Sequence, residues 1–291
     1  MDLGNVKEWF SVHKKQVVTG ASVGVGVALL AGVGISLLAR HNAVSKADAQ
    51  MQKAADMLEQ VLLPETEGEE GNQTVNLEDI DEKYKLGLEL HESDPYMRKR
   101  IDFTKLSELV ESGDIHSWLT MPDTPIDYVV MQGTDEDPVK YLWQDMYGEK
   151  SRTGCLFVQG ALPEEDDHEV IYGHRLKDHS LLFGPLMQFR EESYAKEHTV
   201  VYTYDTSQVT KWELAYAVNG KGDDPVYYFP YEKGTQEWTD LTDNLAEKAH
   251  YAGEPVGAED DMLVLSTCSG RSAGRPERLY LVYRDVAYYL Y

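Results

Sequence analysis

Cys268 closes an apolar run, "MLVLST" (262–267), and is followed by Arg271, Arg275 and Arg278. Only a thiolate is a good nucleophile near neutral pH, and an ordinary cysteine is mostly protonated there, so a reactive one needs cations or a base nearby. Arginine supplies permanent charge, and a strand end, where the ladder stops, leaves room for an extended substrate. The second cysteine, Cys155 in "GCLFV", reads as a small core residue instead. Nine histidines offer bases; His174, in "VIYGHRLKD" (170–178), differs in following an apolar strand directly behind Gly173. A Cys and a His on separate strand ends are the general arrangement for thiol acyl transfer, paired in space and not in sequence. The acidic stretch "EEDDHE" (164–169) could bind a cation through carboxylate oxygens but reads as a solvated loop.

The elements that must position these residues are mainly strands. From about Pro95 onward, short β-branched and aromatic runs recur between turn residues: 126–132, 155–158, 169–172, 199–204, 212–218, 226–229, 262–267 and 279–284. That spacing predicts a sandwich or barrel and not alternating βα units. Three stretches, 103–112, 137–147 and 235–250, carry apolar residues at three- and four-residue spacing and predict helices. The domain is expected to span 95–291, a single mainly β unit with helices packed on it.

Upstream of it, residues 16–39 hold no charged side chain, and their length suits a bilayer-spanning helix. Lys7, Lys14 and Lys15 precede this run, which keeps residues 1–15 cytoplasmic and puts the bulk of the chain outside. A cleaved signal peptide fits less well, because the apolar run is too long and "ADA" (47–49) lies too far beyond it. Residues 40–94 read as a helical stalk, with Met51, Ala54, Leu58, Val61 and Leu62 at helical spacing, followed by an acidic linker over 64–82. The formal charge of −24, from 51 acids against 27 bases, argues against nucleic acid as a partner, since phosphate contacts need a basic surface.

"VIYGHRLKDHSLLFGPLMQF" (170–189) together with "LVLSTCSGRSAGRPERLYLV" (263–282) resembles the sortases, membrane-anchored cysteine transpeptidases of Gram-positive bacteria, and especially their class B. "IDYVVMQGTDEDPVKYLWQDMYGEKSRTGCLFV" (126–158) and "IDFTKLSELVESGDIHSWLTMPDT" (101–124) extend the resemblance over about 95–291. It implies Cys268 as nucleophile, His174 as acid/base and Arg278, ten residues after the Cys, as the cation beside the bound peptide. Ser266 and Thr267, which match the residues before the family's Cys, are implied at the substrate. The implied fold is a closed eight-stranded β-barrel with N-terminal helices and a helix in the long loop before the Cys strand. The implied partners are surface proteins bearing a C-terminal sorting signal of the NPQTN or PxTG kind, and a peptidoglycan-precursor or pilin amine as acceptor. No cofactor and no metal is implied. Two departures stand out: Arg175 where the class has Asn, and Gly270 where it often has an acid. The residues alone also allow a surface cysteine protease or an inactive surface-binding module, and they allow Arg271 or Arg275 in place of Arg278.

Overall fold

The computed structural model describes residues 56–63, 81–110, 113–160, 167–175, 181–228, 230–268 and 276–291, with Cys268 described by its backbone only. The membrane segment expected at 16–39, the acidic linker at 64–80, residues 164–166 of the acidic stretch, and Gly270, Arg271 and Arg275 lie outside the described residues. Among those that are described, no helix is long and apolar enough to cross a membrane.

Nine strands follow one another as β1 (Ile115–Thr120), β2 (Asp127–Gln132), β3 (Leu156–Val158), β4 (His168–Tyr172), β5 (Val200–Tyr204), β6 (Gln208–Lys221), β7 (Ala249–Ala252), β8 (Met262–Cys268) and β9 (Glu277–Leu290). They form one sheet in the order β5-β1-β2-β3-β4-β8-β9-β6-β7, and β5 also pairs with β6. That extra pairing closes eight strands into a mixed barrel, with β7 hydrogen-bonded to the outside of the ring on β6. The length of β6 makes this possible: Val209–Glu213 pairs with β5, Tyr216–Val218 with β7, and the whole strand with β9. Closure leaves few free edges for unwanted pairing.

Alternation along β8 and β9 explains their unbroken apolar runs. Leu263, Leu265, Leu279, Leu281 and Tyr283 belong to the main core cluster. Their neighbours Met262, Val264, Tyr280 and Val282 belong to a second cluster, with Trp238, Leu241 and Leu245. Those last three lie at helical spacing on one helix, Gln236–Lys248, whose N-terminus is capped by Thr235 accepting from the Trp238 N–H at 3.2 Å. This wall of the barrel is therefore buried on both faces, as apolar runs without alternation require. The helix precedes the Cys strand, where one was expected.

Residues assigned to the stalk also pack against the barrel. Helical residues 56–61 (α1) place Met57 and Val61 in the main core, and the Val61 carbonyl accepts from the Asp102 N–H at 2.7 Å. Helix α2 (Glu82–Ser93), capped by Asp81, lies along β9. Gly87 permits the close approach, since a Cβ there would run into the Tyr288 carbonyl. Lys83 ties the helix down through Asp285 at 2.6 Å and Asp260 at 2.9 Å. Helices α3 (Pro95–Arg98) and α4 (Phe103–Leu109) follow, each capped by an aspartate, Asp94 and Asp102. The remaining helices are α5 (Glu192–Glu197) and α6, the Gln236–Lys248 helix.

Two expected elements take other forms. The run 226–229 is not a strand: Pro225–Tyr227 is a 3-10 turn, with Pro at a position where a missing N–H costs nothing. The helix expected over 137–147 is reduced to the 3-10 turn Lys140–Leu142. There the Asp145 carboxylate accepts from the Tyr147 and Glu149 N–H groups, and Gly148 has φ of 78°, so the chain folds back before a helix can grow. β1 and β7 had no strong run to announce them.

His168, at the start of β4, is 1% exposed and meets Tyr231 edge-on. Burial lowers its pKa from 6.5 to about 3. The unfolded chain therefore takes up a proton near pH 6.5 that the folded chain refuses until about pH 3, and stability is lost as pH falls through that window. Over each pH unit this site alone should cut the folded-to-unfolded ratio about tenfold. Urea unfolding of wild type and His168→Phe at pH about 7.5 and about 5.5 checks this, on either side of the unfolded-state histidine value. The wild type is expected to lose more stability on acidification, by about one proton's slope, and equal slopes would refute it.

Candidate active site

The site is built at one end of three neighbouring strands. β4 and β8 run parallel, and their pairing ends with Tyr172 opposite Ser266. Two residues further along each strand stand His174 and Cys268. β8 and β9 run antiparallel, and their register ends with Cys268 opposite Arg278. The three residues named from the sequence thus come from adjacent strands at the same edge of the barrel, although 94 positions separate the first two.

Local bonds hold this end in shape. The Gly173 N–H donates to the Ser266 carbonyl at 3.1 Å, and the Thr267 hydroxyl donates to the Gly173 carbonyl at 2.8 Å. Gly173 is needed for packing: a Cβ there would press on the Leu156 and Phe183 side chains. Ser266 and Thr267, expected at the substrate, are 1% and 2% exposed, and both hydroxyls are used inside the protein. Ser266 shares a 2.8 Å hydrogen bond with the Tyr227 hydroxyl. Their side chains therefore brace the strand ends. Arg175, after His174, makes a short bridge to Leu182.

His174 has a defined orientation. Its Nε2–H donates to the Leu142 carbonyl at 3.0 Å, and its ring lies 5.4 Å from that of Trp143, tilted by 53°. A carbonyl can only accept, so this bond assigns the proton of the neutral ring to Nε2 and leaves the lone pair on Nδ1 for proton exchange. Burial pushes the His174 pKa below its usual value, and the Leu142 hydrogen bond recovers only part of this. The group is a base at neutral pH.

On the other flank, Arg278 lies across Gly222, where a Cβ would come within 3.2 Å of its guanidinium. Its Nη1 donates to the Glu277 carbonyl at 3.2 Å. Burial raises the pKa of Tyr172 and of Tyr227, and the Arg278 charge acts against it in both. Tyr227 stacks on Tyr172 with ring centres 6.1 Å apart and meets Tyr280 edge-on. The Tyr280 hydroxyl donates to Asp224 at 3.0 Å, which also accepts from the Lys221 N–H and from Lys248. Burial alone would raise the Asp224 carboxyl, but these hydrogen bonds hold it below the usual range. Leu142, Tyr172, Tyr227 and Asp224 support the site without any motif in the sequence to mark them. The one signal is the density of aromatic residues in "DDPVYYF" (223–229), which reads as strand.

A cysteine, a base with an assigned tautomer and an arginine at one strand edge are the parts of a thiol acyl-transfer site. Residues 119–285, more than half of the chain, match the sortase domain family. The chain belongs to the sortase family. Its similarity within the family runs to class B. Sortase B of Listeria monocytogenes is 30% identical over 159 residues, covering 53% of this chain and 63% of that protein, so the match spans under two thirds of that relative. Sortase B of Clostridium perfringens has the same fold, with a TM-score of 0.56 and 21% identity over 63% of this chain and 99% of that one. A Staphylococcus aureus sortase B–substrate complex superposes with a TM-score of 0.56 and 20% identity, over 70% of this chain and 92% of that one.

Proposed function

We propose that this sortase is a class B cysteine transpeptidase, anchored in the membrane by residues 16–39 with its N-terminus cytoplasmic and its barrel on the extracellular face. Its substrate is a surface protein bearing an NPQTN-like or PxTG-like sorting signal, cleaved at the Thr carbonyl. The acceptor is an amine of a cell-wall precursor or of a pilin. The observation that carries this reading is the strand register, which sets Cys268 opposite Arg278 and brings the end of β4, with His174, beside the same strand. One sortase B was solved with substrate and another with a glycine tripeptide, which supports a peptide donor and an amine acceptor.

The thiol proton passes to His174 as the sulfur attacks the Thr carbonyl carbon, so the pair keeps its total charge. Negative charge develops on the carbonyl oxygen, and Arg278 stabilises it through charge-assisted hydrogen bonds. The C–N bond breaks, and the departing amine takes its proton from His174. A thioester on Cys268 remains. The acceptor amine attacks it, the C–S bond breaks as the new C–N bond forms, and the amine's proton returns through His174 to the sulfur.

The full-length chain in non-ionic detergent, incubated with a panel of sorting-signal peptides with and without triglycine, tests this by mass spectrometry. A product joined to triglycine is expected. Cleavage that ignores the amine would make the protein a protease, and no cleavage of any peptide would favour a binding module.

A further inference from the structure

The segment between β2 and β3 holds a second concavity, of about 440 Å³, against the outer side of the His174 seat. Its lining includes Val139, Trp143, Lys140, Lys150 and Arg152, with Asp137 as the acid among the described residues that line it. In a chain with almost twice as many acids as bases, this is a local inversion of charge. Lys140 is held by Asp114 at 2.6 Å, whereas Lys150 and Arg152 are exposed and make no ion pair among the described residues. Beside them, Trp143 is 57% exposed and Val139 is 39% exposed, both unusual for large apolar side chains. The same Trp143 tilts onto the His174 ring, and the preceding Leu142 carbonyl fixes that ring. Two exposed cations next to an uncovered indole suit a ligand with an anionic group and an apolar or sugar face.

We propose that this groove is an acceptor subsite, in which Lys150 and Arg152 hold a phosphate or carboxylate carried by the incoming amine and Trp143 covers the adjoining apolar or sugar face. The inference rests on the transpeptidase reading. Its logic is positional: the amine that attacks the thioester gives up its proton to His174, so an acceptor seated on the histidine's flank delivers nitrogen and proton to the right place. The peptide donor is left the Arg278 side.

The test uses full-length protein in non-ionic detergent and three amine acceptors: a nucleotide-linked muramyl pentapeptide, the same muropeptide without its phosphates, and triglycine. The variant is Lys150→Glu/Arg152→Glu, two exposed positions whose change leaves the core intact. The acceptor KM for the nucleotide-linked muropeptide is expected to rise about tenfold or more, in line with loss of two charge-assisted contacts. The KM for triglycine and for the donor peptide should not move. If the dephosphorylated muropeptide shows the same loss, the carboxylates are the group held; if it shows none, the phosphates are. An equal change for all three acceptors, or none, would overturn the subsite. Calorimetric titration of the muropeptide into wild type and variant reads binding without turnover. Weaker binding by the variant there upholds the subsite even if no amine is ever transferred, and failure of the wild type to bind ends the proposal.

Discussion

Cys268→Ala is expected to abolish both the thioester adduct and the transfer product, lowering turnover by a factor on the order of 10⁴ or more. The other thiol cannot substitute. Cys155 is a free cysteine, 5% exposed, and its Sγ–H donates to the Gln144 carbonyl at 3.5 Å. Burial pushes its pKa far up, and the charge of Asp145 adds to the effect, so no thiolate forms there at neutral pH. Cys155→Ala should accordingly keep transfer while losing some stability to the small cavity it leaves. The assay is peptide transfer to triglycine, followed together with intact-protein mass after exposure to peptide alone. Adduct or product surviving in Cys268→Ala but not in Cys155→Ala would reverse the assignment of the nucleophile.

Arg278→Ala should reduce kcat by about 10²–10³-fold, the usual cost of losing one group that stabilises the developing oxyanion. The donor KM should change far less, because the interaction matures only as charge builds on the carbonyl oxygen. Arg278→Lys is expected to recover part of the loss, since a point charge without the planar fork restores attraction but not geometry. Folding should be little affected: the guanidinium rests on Gly222 and the side chain is only half-buried. Steady-state kinetics with a quenched fluorescent peptide, run beside thermal unfolding, separates the two effects. If the alanine variant loses less than about fivefold, well short of an oxyanion-stabilising group, the cation at the reaction centre is a different one, and Arg271 and Arg275 become the candidates.

The legible parts of this fold are those whose signal is local. The apolar runs at 262–267 and 279–284 form β8 and β9, and the amphipathic spacing of Trp238, Leu241 and Leu245, behind a Thr cap, forms α6. The illegible parts are those where side chain and backbone compete over a few residues. Asp145 captures two backbone N–H groups and Gly148 turns the chain, so 137–147 cannot extend as a helix despite its apolar spacing. Pro225 starts a turn that ends the apparent strand of Val226, Tyr227 and Tyr228. β1 gives no clear signal because "IHSWLT" acquires its strand character from β2 and β5 on either side.

Residue identity and spacing along the chain were enough to name Cys268, His174 and Arg278, to count most strands and to place α6, because a thiol among cations and a period of two or 3.6 are properties of short segments. Position in space was not available at that range. Closure of the barrel through β5 and β6, the register that sets Cys268 against Arg278, and the use of the Leu142 carbonyl to choose the His174 tautomer all depend on strands or partners far apart in sequence. The same distance hid the roles of Ser266 and Thr267, whose hydroxyls are consumed by Tyr227 and Gly173. Hydrogen-bond partners are assigned by packing, and packing is decided only when the whole barrel is closed.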